Sequence, residues 1–98
     1  MTNTLARFAI ALMFVPGAAI AAESATFALK SLTPETALKA AQAAMAKCRA
    51  DGYQVAVAVV DRSGLLHAVV RDRYAGAHTP ETAANKAWTA VSFRTNTT

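Results

Sequence analysis

The sequence predicts an α/β domain in which helices pack on an antiparallel β-hairpin, in the order helix, hairpin, helix. The same five residues, Thr-Pro-Glu-Thr-Ala, occur at 33–37 and again at 79–83, and each copy has the cap, proline and acid typical of a helix start. Between them, two valine-rich runs flank a glycine-containing turn at 61–64. Because the residues after the two copies diverge at once, we interpret them as one helix-start signal used twice, not as a tandem repeat.

Residues 1–22 are predicted to be a secretory signal peptide, which does not belong to the fold. An arginine precedes an apolar run, and the small residues Ala19 and Ala21 occupy the positions that a signal peptidase reads. Cleavage after Ala21 or Ala22 leaves a mature chain that contains one domain, 23–98, which we expect to be periplasmic or secreted with no membrane partner. The alternative is a retained membrane anchor, which requires about 20 apolar residues, more than this run contains.

The composition excludes several classes of protein. Charged residues make up 16% of the chain and hydrophobic residues 54%, which is typical of a globular protein. The net charge is +4, but the basic residues are scattered, so we expect no nucleic-acid partner. The chain has one cysteine, so no intramolecular disulfide can form. Since so small a domain is marginally stable, its stability must come from packing, a ligand, self-association or residues that this chain lacks.

The first helix is predicted to begin after Thr33, which can cap the free amides. Pro34 suits the first helical position and Glu35 complements the positive end of the helix dipole. Gly52 is a natural stop. Four residues at helical spacing form the expected inward stripe: Leu38, Ala41, Met45 and Cys48. Because it lies on this stripe, the cysteine is interpreted as a small core residue.

The hairpin is predicted from the run at 54–62, the turn at 61–64 and a returning strand at 65–71. Successive side chains of a strand point to opposite faces. One face of the returning strand is therefore wholly apolar, whereas the other carries His67 and Arg71. A ligand is expected on this mixed face. The mixed-sign cluster at 71–73 is interpreted as a solvated strand end.

The second helix is predicted to begin at Thr79 by the same capping logic. An apolar stripe follows, consisting of Ala84, Ala87, Trp88 and Val91. The sequence ends before any third strand, and two strands with two helices make a thin fold.

Several chemical motifs are absent from the sequence: CxxC, HExxH, GxGxxG and the phosphate-binding Gly-Lys-Ser/Thr loop. Structural zinc, zinc-protease chemistry and nucleotide binding therefore lack support. Asp61, Ser63 and His67 do not predict a catalytic triad, because one hairpin is unlikely to give the required geometry.

Two pairs of residues are candidates for binding a ligand. His67 and Arg71 share the mixed face, where an imidazole can ligate iron and a guanidinium can bind a carboxylate such as a porphyrin propionate. His78 and Thr79 lie at the start of the second helix, where free amides can hold an anion. The alternatives are an ordinary half-buried strand histidine for His67 and a loop residue that fixes the helix entry for His78.

The ordered strings "LTPETALKAAQAAMAKC", "VAVAVVDRSGLLHAVVRD" and "AGAHTPETAANKAWTAVSFRT" resemble the GlcG/HbpS family of haem-binding and PduO-C-terminal-like domains. The resemblance implies a sandwich of helices on an antiparallel sheet, often in a homo-oligomer, with haem or a related tetrapyrrole bound by some members. It implies no uniform reaction. We therefore expect an exported, non-enzymatic haem-binding protein. The candidate iron ligands, His67 and His78, follow from the chemistry of these residues and not from the resemblance.

The sequence departs from the family at its end, because members usually continue with a Gly-rich segment, further strands and a last helix. We expect either a shortened or frameshifted product or a chain that completes its sheet with another copy of itself. Two alternative functions stay open. One is a small enzyme or accessory domain that acts on an organic acid or corrinoid, with Arg71 binding the carboxylate and His67 transferring a proton. The other is a remnant without folded function.

Overall fold

A computed structural model describes residues 23–98, and the predicted signal peptide at 1–22 lies outside these described residues. Its elements are helix α1 (Pro34–Ala50), strands β1 (Ala56–Val60) and β2 (Leu66–Arg71), and helix α2 (Thr79–Phe93). The predicted α/β class and the order helix, hairpin, helix are confirmed.

The start and end of α1 follow the predicted signals. The Thr33 side chain accepts a hydrogen bond from the Thr36 amide at 3.3 Å, which satisfies one of the free amides of the first turn. At the other end, Gly52 has a φ of +90°. The amide of Tyr53 donates to the Cys48 carbonyl at 2.9 Å, in a glycine-dependent helix stop.

The hairpin has the predicted antiparallel pairing. Ala56 lies opposite Arg71 and Val60 lies opposite Leu66, with a bulge between Val59 and Val60. The turn closes through a hydrogen bond from the Asp61 amide to the Leu65 carbonyl at 2.8 Å. A bulge increases the local twist of a strand, and here it lies at the turn end of the hairpin.

The second copy of the Thr-Pro-Glu-Thr-Ala string starts a helix at Thr79, as predicted, but the predicted cap is wrong. The capping position falls on His78, whose side chain makes no capping hydrogen bond. The Thr79 hydroxyl instead donates to the Gly76 carbonyl at 2.6 Å. The reason is the helical backbone of His78 (φ −78°, ψ −16°), which places Thr79 inside the first turn and not before it.

The two helices pack on the hairpin without contacting each other within the described part of the chain. Helix α1 crosses both strands, whereas α2 lies mainly beside β1. Among residues 23–98, the buried apolar side chains are small: Ala37, Ala41 and Ala75. Leu38 is 41% exposed, so the inward stripe of α1 begins one residue earlier than predicted, at Ala37. Between residues 23 and 98, no helix has the length and apolar character needed to cross a membrane.

Candidate functional site

An open cleft lies where an extended segment before α1 meets the turn end of the hairpin. Its volume is about 310 Å³, near the lower end of the range for small-molecule sites. We call it the His67 cleft. It is lined by Lys30, Ser31, Leu32, Val60, Asp61, Arg62 and His67.

His67 is the imidazole of this cleft. It lies on β2 and is half-buried. Its Nε2 lies 3.2 Å from the Ser31 hydroxyl, so the extended segment is tied to the hairpin by this contact. A ligand that binds Nε2 must replace the serine hydroxyl.

The charges of the cleft come from two chain segments that are far apart in sequence. Among residues 23–98, neither Lys30 nor Arg62 forms an ion pair or a side-chain hydrogen bond. Asp61 is the acid of the cleft, but its Oδ1 accepts hydrogen bonds from the amides of Ser63 at 2.8 Å and Leu65 at 3.0 Å. The turn thus holds one oxygen of this carboxylate, and the two cations outnumber the acid.

Arg71 does not point into the cleft, although it shares a strand face with His67. Its Nη1 donates to the carbonyl of Ala75 at 2.6 Å and to the carbonyl of Asp72 at 3.3 Å. The guanidinium therefore stabilises the loop after β2. The cations that line the cleft and could bind a carboxylate there are Lys30 and Arg62. The sequence did not indicate them, because no local pattern connects position 30 with position 62.

Asp72 is a second feature that the sequence did not indicate. The expectation of a solvated strand end is wrong for this residue, which is 2% exposed. Arg49, at the end of α1, donates from Nε to Oδ2 at 3.0 Å and from Nη2 to Oδ1 at 2.9 Å. The Arg73 amide donates to Oδ1 at 2.8 Å. We call this arrangement the Arg49–Asp72 clasp.

The clasp shifts the titration of both partners. The hydrogen bonds from Arg49, followed by the one from the Arg73 amide, hold the pKa of Asp72 below its ordinary value, although burial acts in the opposite direction. The hydrogen bond to Asp72 is also the main cause of the raised pKa of Arg49. The clasp joins the end of α1 to the end of β2, far from the turn.

The structure does not bring His78 and His67 together. His78 precedes α2, and Trp88, ten residues later, contacts the turn at Gly64. Since a helix rises 1.5 Å per residue, His78 and Trp88 lie about 15 Å apart along the axis of α2. The His78 ring lies against Gly76, where an added Cβ would come within 2.7 Å of its Cε1. Among the described residues, no group of three or more histidine, cysteine or acidic side chains could hold a metal ion.

Comparisons with known proteins agree with this architecture. The family model "Haem degrading protein HbpS-like" matches residues 32–98. A crystal structure of HbpS matches with 42% identity and a TM-score of 0.64, over 76% of this chain and 54% of that one. A double mutant of HbpS from Streptomyces reticuli matches with 41% identity and a TM-score of 0.64, over 76% of this chain and 52% of that one. The chain thus spans about half the length of these structures. A search of curated proteins found no match.

Proposed function

From the premise that this chain belongs to the HbpS-like family, we propose that it binds haem or a related tetrapyrrole in the His67 cleft. The observation that carries the proposal is the cleft itself, in which a half-buried imidazole lies beside two cations without partners among the described residues. A neutral imidazole is a good iron ligand. Guanidinium and ammonium groups suit carboxylates, and a haem carries two propionates.

The cleft suits the binding of one edge of a tetrapyrrole better than the enclosure of the whole ligand. The cleft is open, and its volume of about 310 Å³ is small for a large planar ligand. Haem, when bound, would supply an iron that can accept a nitrogen ligand. His67 is the residue that would hold it, and Ser31 would then give up its contact with Nε2.

The proposal includes export, binding without turnover and self-association. Export rests on the signal-peptide pattern at 1–22, and an N-terminus at Ala22 or Glu23 in the extracytoplasmic fraction would support it. Binding without turnover predicts a constant Soret absorbance when ascorbate is added to the haemin complex, whereas steady bleaching would indicate haem degradation. Self-association rests on large apolar side chains that are exposed on the hairpin and on α2, namely Leu65, Leu66, Trp88 and Phe93. Size-exclusion chromatography tests it.

The experiment that tests the binding site is a haemin titration of the purified chain, followed by the Soret band. We expect saturable binding that is lost in His67→Ala and kept in His78→Ala. The second variant is the matched control, because it removes an exposed imidazole that does not line the cleft.

Two results would contradict the proposal in different ways. Absence of a Soret shift in the unmodified chain would refute haem binding. Loss of the shift in His78→Ala with no loss in His67→Ala would keep haem binding but move the site to the start of α2.

A further inference from the structure

We propose that Lys30 and Arg62 form a carboxylate-binding subsite at the mouth of the His67 cleft, and that this subsite takes a propionate of the bound tetrapyrrole. The inference rests on the proposed function and adds to it the residues that recognise the periphery of the ligand. The two cations converge on the same cleft from an extended segment and from a hairpin turn.

The first argument for the subsite is the contrast with other cations of residues 23–98. Four of these cations have partners within the described chain: Lys47 with Asp51, Arg49 with Asp72, Arg71 with the Ala75 carbonyl, and Lys86 with the Thr97 carbonyl. Lys30 and Arg62 have none there, and neither do Lys39, Arg73 and Arg94. Unlike these three, Lys30 and Arg62 line the same cleft. Two like charges held in one cleft repel each other, and an anion between them removes this repulsion.

The second argument concerns the acid of the cleft. A free carboxylate beside Lys30 and Arg62 would compete with any anionic ligand. Asp61 is instead engaged through Oδ1 with two amides of its own turn, an arrangement typical of an aspartate that shapes a turn. The remaining positive charge of the cleft favours a ligand with a carboxylate, in agreement with the chemistry of a propionate.

The location of the two cations also explains why Arg71 need not contribute. Its guanidinium is held by backbone carbonyls of the loop after β2. Arg62 lies in the turn at the opposite end of β2 and lines the same cleft as His67. The iron ligand and the carboxylate subsite thus belong to the same end of the hairpin.

The test compares haemin with haemin dimethyl ester, in which both propionates are blocked, for the unmodified chain and for three variants. Lys30→Gln and Arg62→Gln each remove one charge from the cleft. Arg73→Gln is the charge-matched control, because this exposed cation follows β2 at the far end of the hairpin. Lys30 lies outside helices and strands, so its variant keeps the test informative even if a change in the turn affects folding.

We expect the unmodified chain to bind haemin about tenfold more tightly than the ester. Each cleft variant should weaken haemin binding about two- to fivefold and reduce the preference for haemin, since ion pairs in an open cleft are weak. Arg73→Gln should change neither quantity, and added salt should diminish the preference by screening.

Three results overturn the subsite. Equal binding of haemin and its ester refutes the subsite and leaves the proposed function intact. The same conclusion follows if Arg73→Gln weakens binding as much as the cleft variants do. If neither compound binds, the proposed function fails, and the subsite fails with it.

Discussion

The turn that borders the His67 cleft lies against Trp88, and this contact gives a sharp test of the structure. Gly64 has a φ of +85°, and a Cβ added to it would lie 2.8 Å from Trp88 Cδ1 and 3.2 Å from its Nε1. Gly52, at the end of α1, has a φ of +90° and no atom within 4 Å of the same position. Gly52→Ala therefore measures a backbone cost alone, whereas Gly64→Ala adds a steric conflict.

The expected magnitudes follow from these two environments. A left-handed backbone costs a residue with a Cβ about 1–2 kcal/mol, and both variants lose this amount of stability. In Gly64→Ala the indole must also move. Because Trp88 is 55% exposed, its ring can rotate away at a cost of about 0.5–1.5 kcal/mol. We expect Gly64→Ala to be less stable than Gly52→Ala by about 1 kcal/mol, or about 4–8 °C in Tm for a domain of this size.

The assay is urea unfolding of both variants followed by far-UV circular dichroism, repeated in a Trp88→Ala background. Trp88 is the only tryptophan in the sequence, so its fluorescence should change in the folded state of Gly64→Ala and not in that of Gly52→Ala. Without the indole, the two glycine substitutions should cost the same. Equal costs with the indole present would refute the packing of Trp88 against the turn.

Two further predictions concern the clasp and the cleft. Because the pKa of Asp72 is lowered, chiefly by its hydrogen bond from Arg49, the clasp stabilises the fold above the ordinary aspartate pKa of about 3.9 and loses this effect as the pH falls through the lowered value. Asp72→Asn should lower the urea midpoint at pH 7, and the gap to the unmodified chain should narrow below the ordinary aspartate pKa and close once the pH is below the lowered value; a constant gap would contradict this role. Ser31→Ala should strengthen haemin binding about two- to tenfold, since one hydrogen bond of His67 no longer competes; weaker binding would instead assign the hydroxyl a positioning role.

The elements of the fold were predictable because their signals are local. The Thr33 cap, the glycine stop at Gly52 and the hairpin turn each depend on a few adjacent residues. The limit of such reasoning is visible at Thr79, where an identical five-residue string begins a helix without a threonine cap. The conformation of the preceding residue, His78, decides this difference, and it is set by the loop before the helix and not by the string.

The candidate site was predictable only in part, because its contacts join distant segments. His67 could be placed on a mixed strand face from period-two alternation. The contribution of Lys30 to the cleft could not be predicted, because it depends on an extended segment that returns to the hairpin. Arg71 shows a different limit. Its backbone position was predicted, but a long side chain can turn toward nearby carbonyls, and alternation along a strand does not predict that choice.

The two ends of the hairpin differ in a way that should separate stability from binding. At the far end, the charges of Arg49 and Asp72 pair with each other. A substitution there should therefore change the free energy of unfolding more than the ligand affinity. At the turn end, Lys30 and Arg62 have no partner among the described residues, so their removal costs the fold little and affects an anionic ligand directly. Gly64 affects both stability and ligand binding, because its turn both packs on Trp88 and carries Arg62. Gly64→Ala should therefore lower the stability of the fold and the affinity for haemin together.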